Sequence, residues 1–179
     1  MVTLKGGDGL AKALNEIAKN VSKAASVDVG FLEGSTYPDG TSVPEIAAYQ
    51  EFGAPKAGIP PRPFFRTMIE AKSPEWGEAV GNLLVANKYD AAKTLGQTGA
   101  AIKGQLQDSI IETYNPPLSQ ITLMLRKMRA EDPDLVVTGK TVGEAARRVA
   151  AGESTEGVST KPLVDSGTML NAVDFEVKS

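Results

Sequence analysis

The chain contains neither cysteine nor histidine among its 179 residues. The absence of cysteine excludes disulfides, thiolate metal sites and cysteine nucleophiles. The absence of histidine removes the usual proton carrier near neutral pH, the most common zinc ligand and any serine activated by an imidazole. The remaining candidates for catalysis are carboxylates, serines and lysines, so the range of enzymatic chemistry open to the chain is narrow.

An excess of positive charge and long apolar runs are also missing. Acidic residues outnumber basic ones by 22 to 19, which gives a formal charge of −3 and leaves no cationic surplus for neutralising nucleic-acid phosphates. No run reaches the ~18 apolar residues of a membrane span, and no apolar stretch follows Lys5 as in a signal peptide. We therefore expect a soluble protein that binds neither membranes nor specific nucleic-acid sequences.

Residues 8–25 are predicted to form an amphipathic helix, and we assign residues 1–26 to this N-terminal segment. Its apolar side chains recur at alternating steps of four and three residues, which places them on one helical face. These side chains are Leu10, Leu14, Ile17 and Val21. The stripe packs either on the core of its own chain or on a neighbouring subunit, and the pattern is compatible with both.

Residues 27–179 are predicted to form a single α+β domain. Period-two patterns predict one strand at 27–32 and another at 175–177. Helical patterns fill the region between them, so we expect a small antiparallel sheet from the N- and C-terminal strands, packed with several helices. A helix ending at Gly53 and a second one starting at Phe64 come first.

A long central helical segment is predicted at 90–113, after a new helix start at 73–75, where serine precedes proline. Its three glycines weaken the helix and indicate either a close approach of another backbone or a bend. They are Gly96, Gly99 and Gly104.

The C-terminal part is predicted to hold two short helices, at 119–131 and 141–152, with a strand at 135–138 between them. The basic run at 126–129 is interpreted as a solvated helix face, with a phosphate site as the less favoured reading. Residues 152–161 are poor in large apolar side chains, so we predict a mobile loop there.

Three short stretches, read in order, resemble one protein family. They are residues 46–53 (IAAYQEFG), residues 59–66 (IPPRPFFR) and residues 161–170 (KPLVDSGTML), the last of which runs into the terminal strand. This ordered set resembles the neck and tail-completion proteins of tailed bacteriophages, the HK97 gp10-like and virion-morphogenesis groups. The chain departs from the family pattern at Gln50, where histidine or asparagine is common, and at Met169-Leu170, where many members have arginine.

The resemblance implies a structural virion protein rather than an enzyme, with no cofactor and no metal. Such a protein assembles with copies of itself into a closed ring at the head–tail junction. Its other partners are head-closure or connector proteins on one side and tail-tube or tail-terminator proteins on the other, and DNA passes through the ring. The protein is made in the cytoplasm of the bacterial host and ends in the neck of the virion.

Ten residues of these motifs are the candidates for structure and assembly. They are Glu51, Phe52, Gly53, Pro61, Arg62, Pro63, Phe64, Asp165, Ser166 and Gly167. Six of them are expected to form a structural corner, in which the apolar rings pack, Gly53 ends a helix and Arg62 pairs with Glu51; these are Glu51, Phe52, Gly53, Arg62, Pro63 and Phe64.

In the third motif, Asp165 and Ser166 are expected to cap a helix that begins near Gly167. Leu163 and Leu170, on either side of them, are expected to lie in the core. These residues are thus interpreted as folding residues first.

Three other functions are weighed against this one. A tail-tube terminator belongs to the same broad class. A small carboxylate-dependent cell-wall hydrolase would need two carboxyl groups on either side of one bond, for which Asp165 with Asp174, or Asp132 with Asp134, are candidates. A DNA-binding factor would lose affinity steeply with salt, whereas we expect weak or absent DNA binding.

Overall fold

The computed structural model describes residues 7–179. Over this range the chain folds into seven α-helices, one 3-10 turn and two strands, which is the α+β class expected. Residues 1–6, the start of the predicted N-terminal segment, lie outside the described part. The elements are α1 (Gly7–Val21), β1 (Ser26–Phe31), α2 (Val43–Phe52), the 3-10 turn (Pro55–Ala57), α3 (Phe64–Ala86), α4 (Ala91–Glu112), α5 (Gln120–Glu131), α6 (Gly139–Ala150), α7 (Thr168–Asn171) and β2 (Val173–Lys178).

The first and last strands pair with each other, as expected. They run antiparallel, with Ser26 opposite Lys178 and Phe31 opposite Val173. A two-stranded sheet is marginal by itself and needs packing against a helix. α4 supplies that packing, because it makes close backbone contact with both strands.

Gly99 is the residue of α4 that lets the helix approach the sheet. A Cβ atom at this position would lie 2.5 Å from Cδ2 of Phe175 and 2.8 Å from Cγ2 of Val27. A Cβ atom built at Gly96 or Gly104 would have no neighbouring atom within 4 Å. Close approach therefore explains the central glycine, and the approaching groups are side chains of the sheet rather than another backbone.

α3 is one continuous helix, so the predicted new start at 73–75 is wrong. Pro74 lies inside the helix, where its ring removes one backbone hydrogen bond to residue 70. Glu70 and Pro74 are both exposed, so water can donate a hydrogen bond to the carbonyl of Glu70 in place of the missing amide. Directly after the proline, Nε1 of Trp76 donates to Oε1 of Gln105 in α4 at 2.9 Å and holds the next turn in place.

The main apolar core, which we call the sheet core, lies where α2, α3, α4 and α7 meet the sheet. Phe64 is 1% exposed and stands edge-on to Phe31, with ring centroids 6.2 Å apart. Leu163 is buried here as expected, whereas Leu170 is only half-buried at the edge. The buried members are Val43, Ala47, Phe64, Met68, Leu106, Ile110, Leu163, Met169 and Val173.

α5 and α6 form a second unit, which we call the helical hairpin. They pack on each other through Met124, Met128 and Ala145. Within residues 7–179 neither helix makes close backbone contact with any other helix or strand.

The strand predicted at 135–138 is absent, because the segment forms the connection between the two helices of the hairpin. The apolar residues that suggested a strand have two different environments. Leu135 packs on the hairpin cluster, whereas Val136 is 71% exposed. Without a neighbouring strand to pair with, β-forming residues alone do not make a strand.

The apolar stripe of α1 faces solvent. Leu10 is 63% exposed and Leu14 is 56% exposed, and the helix buries none of its residues although it touches α4. The interpretation that this stripe packs on its own core holds only for Ile17, which is half-buried, and is wrong for Leu10, Leu14 and Val21, which are exposed. Packing on a neighbouring subunit remains a prediction.

Candidate functional site

The three motif stretches, distant in the sequence, meet around one open cleft of about 490 Å³, which we call the motif cleft. The first motif contributes Gln50, the second contributes Arg62 and the third contributes Asp165. The rest of the wall comes mainly from residues 117–119, from the face of α5 that carries Arg126 and Arg129, and from Val137. The elements that position these side chains are the end of α2, the segment before α3 and the segment before α7.

The first motif ends α2 at Gly53, as predicted. Gly53 has a φ of 79°, a left-handed conformation that favours glycine. A Cβ atom there would lie 2.9 Å from the backbone nitrogen of Pro61, so the site has no space for a side chain either. The positive φ of Gly53 and its missing side chain thus allow the end of the first motif to lie directly against Pro61 of the second.

Glu51 caps the next helix. Its buried carboxylate accepts hydrogen bonds from the backbone nitrogens of Phe65 at 2.8 Å and Arg66 at 3.2 Å, which are free amides of the first turn of α3. Nε of Arg66 donates to the same carboxylate at 2.7 Å. The expected pair between Glu51 and Arg62 is therefore wrong, because the turn that begins at Phe64 brings Arg66, and not Arg62, to the carboxylate.

Arg62 lies in an extended segment in which exposure alternates. Pro61 and Pro63 are exposed, whereas Arg62 and Phe64 are buried, so successive side chains point to opposite sides. The backbone nitrogen of Arg62 donates to the carbonyl of Gln50 at 2.7 Å, which binds the segment to α2.

The guanidinium of Arg62 is held by neutral acceptors. Nε donates to the carbonyl of Pro116 at 3.0 Å, and Nη1 donates to Oε1 of Gln50 at 3.2 Å. Burial, and then the charge of Arg126, lower the pKa of Arg62. The group nevertheless stays charged at physiological pH, because an arginine pKa lies far above this range.

The two phenylalanines of the corner have different environments. Phe64 packs in the sheet core, as expected, but Phe52 is 64% exposed. Its ring lies against the guanidinium of Arg66, whose Cζ is 5.0 Å from the ring centroid, a cation–π contact. The expectation that the apolar rings pack together is thus wrong for Phe52, because it follows the inward-facing Glu51 and lies on the outer side of α2.

Arg126 is the functional residue that the sequence analysis missed. Its side chain is 8% exposed, so the interpretation of this run as a solvated face is wrong at this position. Nη1 donates to the carbonyls of Ser159 at 2.7 Å and Lys161 at 2.9 Å, and Nη2 donates to that of Pro162 at 3.1 Å. The sequence spacing could have indicated its burial, because Arg126 follows the apolar Leu123 by three residues and therefore lies on the same, inner face of α5.

Asp165 pairs with arginines instead of capping a helix. Nε of Arg126 lies 3.3 Å from one carboxylate oxygen, and Nη1 of Arg129 lies 3.1 Å from the other. Ser166 does accept a hydrogen bond from the backbone nitrogen of Thr168, at 3.3 Å, where α7 begins. The N-cap position itself is Gly167, so Ser166 meets the expectation only by binding the first amide of α7. The expectation is wrong for Asp165, because Arg126 and Arg129 of α5 bind its carboxylate.

The segment 152–161 is attached to the helical hairpin at its beginning. Nζ of Lys127 donates to Oε1 of Glu153 at 3.0 Å and to the carbonyl of Ser154 at 2.9 Å. Hydrogen bonds from Arg148, and then from Lys127, lower the pKa of Glu153 to about 2. The mobility predicted for this segment stays a prediction.

Three of the four carboxylates considered for hydrolysis, those of Asp132, Asp165 and Asp174, bind cations or backbone amides. Asp174 pairs with Lys103 at 3.1 Å, and this hydrogen bond lowers the pKa of Asp174. Oδ1 of Asp132 accepts from the backbone nitrogen of Asp134 at 3.2 Å. In the described part of the chain no three acidic side chains come together in a way that could hold a metal ion.

Between residues 7 and 179, no helix combines the length and the hydropathy required to cross a bilayer. Comparison of the chain with known protein families, with curated proteins and with solved structures finds no match. The α+β class is established by the structure itself. Membership of the phage neck proteins remains a prediction that rests on the three motifs.

Proposed function

We propose that this chain is a structural protein of a tailed-phage virion, which forms a ring with copies of itself at the head–tail junction as a neck or tail-completion component. The observation that carries the proposal is the contact among the three motifs. Gln50 of the first motif binds Arg62 of the second, and the third borders the same cleft. Motif matches that arose by chance would have no reason to meet in space.

The exposed apolar surface supports assembly. Leu10 and Leu14 of α1 and Val85 of α3 are each more than half exposed, and apolar side chains grouped on one helical face are typical of contact surfaces. In a ring this face of α1 contacts the neighbouring subunit. Head-closure or connector proteins and tail-tube or tail-terminator proteins occupy the two ends.

The charges favour a structural role over cell-wall hydrolysis. A glycosidase acid requires a raised pKa, and the ion pair with Lys103 shifts the pKa of Asp174 in the opposite direction. The net charge of −3 also suits a ring through which DNA passes without being gripped.

The proposal is tested by the mass of the assembly. Sedimentation velocity and negative-stain microscopy of the purified protein are expected to show a closed ring of identical subunits, and mass spectrometry of purified virions is expected to find the chain at a fixed copy number. A monomer that turns over a cell-wall substrate and is missing from mature particles would overturn the proposal.

A pair of variants locates the contact surface. Leu14→Lys introduces a charge into the apolar stripe and is expected to shift the protein from ring to monomer with an unchanged helical signal in circular dichroism. Lys12→Ala, on the opposite face of α1, is the matched control and is expected to leave the ring intact. A ring that tolerates both substitutions would mean that α1 lies outside the interface.

A further inference from the structure

Arg62 is a buried cation without an acidic partner. It is 5% exposed, and among residues 7–179 no carboxylate lies within 4.0 Å of its guanidinium nitrogens. Buried arginines are almost always paired with an acid, because removing an isolated charge from water is costly. The neutral acceptors on Gln50 and Pro116 satisfy hydrogen bonds but leave the charge uncompensated.

The free end of this guanidinium opens into the motif cleft. Nε and Nη1 have acceptors in the protein, whereas Nη2 has none within the described chain. Nη2 is not a buried atom, because residues 7–179 contain no buried side-chain nitrogen that lacks a partner. Arg62 lines the cleft, so its unused N–H groups are available to a ligand there.

The surroundings of Arg62 also favour negative charge. Arg126 and Arg129 line the same cleft and share a single carboxylate, that of Asp165. The N-terminus of the twelve-residue helix α5 lies at the cleft through Ser119 and Thr122, and its dipole adds a partial positive charge. An anion bound here would offset the repulsion between Arg62 and Arg126.

The shape and composition of the cleft select the kind of anion. Its walls include apolar side chains, among them Ile59, Leu118 and Leu125. A recess of about 490 Å³ is large enough for one side chain with its flanking residues. The planar fork of a guanidinium matches the two oxygens of a carboxylate.

We propose that the motif cleft binds a carboxylate side chain on an apolar-flanked, acidic peptide segment of a partner protein, with Arg62 donating to that carboxylate. Arg62 supplies Nη2 and the second hydrogen of Nη1, and the apolar wall receives the flanking residues. Only the choice of a protein as the partner rests on the proposed function. The preference for a carboxylate rests on the cleft alone and holds equally for a monomer.

The test titrates the full-length protein with a blocked pentapeptide that carries one glutamate between leucines. Nitrogen-15 NMR is expected to show saturable shifts of the Nε–H signal of Arg62 and of the backbone amides of residues 119–122. The same peptide with glutamine is expected to bind at least about tenfold more weakly, because hydrogen bonds to a charged group are stronger than neutral ones. Equal binding of the two peptides would overturn the proposal.

Two protein variants assign the effect to Arg62. Arg62→Lys keeps the charge but loses the fork, and it is expected to weaken binding of the glutamate peptide about tenfold. Arg147→Lys, at an exposed arginine of α6, is the matched control and is expected to bind as the unchanged protein does. If Arg62→Lys fails to fold, the comparison of the two peptides on the unchanged protein decides the question.

Two further probes separate other anions from a carboxylate. Inorganic phosphate and a short DNA duplex are titrated under the same conditions, and both are expected to bind more weakly than the glutamate peptide. Tighter binding of either probe at the same signals would overturn the carboxylate proposal. Ring formation is measured in the same samples without peptide. A negative result for peptide binding and a negative result for ring assembly are therefore distinguished.

Discussion

The sheet core and the helical hairpin bury very different amounts of apolar side chain. The sheet core contains nine buried apolar residues, drawn from α2, α3, α4, α7 and their neighbours, whereas the hairpin cluster contains three. The hairpin compensates with arginines and lysines that bind carbonyls and carboxylates of residues 153–165. One region is thus held mainly by burial and the other mainly by directed polar contacts.

This difference determines how each region responds to its surroundings. Apolar burial is non-directional and carries no charge, so the sheet core is expected to be insensitive to salt and moderate acid. Ion pairs at the surface are screened by salt, and those between Arg148 and the acids Glu131 and Glu153 are partly exposed. Arg126 is the exception in the hairpin, because its guanidinium is shielded from solvent.

The strongest test of the comparison removes the central ring of the sheet core. Phe64→Ala is expected to lower the free energy of unfolding by about 3–5 kcal/mol, since it removes a fully buried aromatic side chain and leaves a cavity. Urea denaturation followed by circular dichroism measures this change. Phe52→Ala, the same substitution at an exposed ring of the same corner, is the control and should have little effect. Equal losses in both variants would contradict the packing described for Phe64.

The second test removes the polar centre of the hairpin. Arg126→Ala is expected to cost roughly 2–3 kcal/mol, because several carbonyls of residues 159–162 lose their donor and Asp165 loses one cation. Hydrogen exchange should accelerate first in residues 159–165, with the sheet core still protected. Arg147→Ala, at an arginine whose side chain is 74% exposed, should change neither quantity. Uniform acceleration across the whole chain would mean that the two regions do not differ as described.

Much of the fold was predictable because its determinants are local. Alternating apolar residues predicted both strands, and the spacing of Leu10 and Leu14 predicted α1. The errors arose where distant contacts decided the outcome. Pro74 continues a helix because Trp76 is anchored to α4, and residues 135–138 lack a strand partner. Neither condition is visible in a local pattern.

The candidate site was predictable in part for the same reason. Gly53 and Phe64 follow from turn chemistry and apolar periodicity, and the structure confirms both roles. The partner of Glu51 could not be predicted, because the start of α3 decides whether Arg62 or Arg66 reaches it. Arg126 acts on carbonyls more than thirty residues away in the sequence, and backbone acceptors have no sequence signature.

The smallest expected effect concerns acid, and it should reach the hairpin before the sheet core. The pKa of Glu153 is lowered from 4.5 to about 2 by Arg148 and Lys127, so its contribution to stability is complete above pH 4.5 and declines as the pH falls towards about 2. Hydrogen-exchange protection of the backbone amides of residues 152–161, corrected for the intrinsic exchange rate at each pH, is therefore expected to fall over this window while that of α4 is retained. Glu153→Gln should remove the pH dependence, whereas Glu156→Gln, a nearby exposed glutamate, should retain it. Loss of protection that begins in α4 would reverse the order of stability assigned to the two regions.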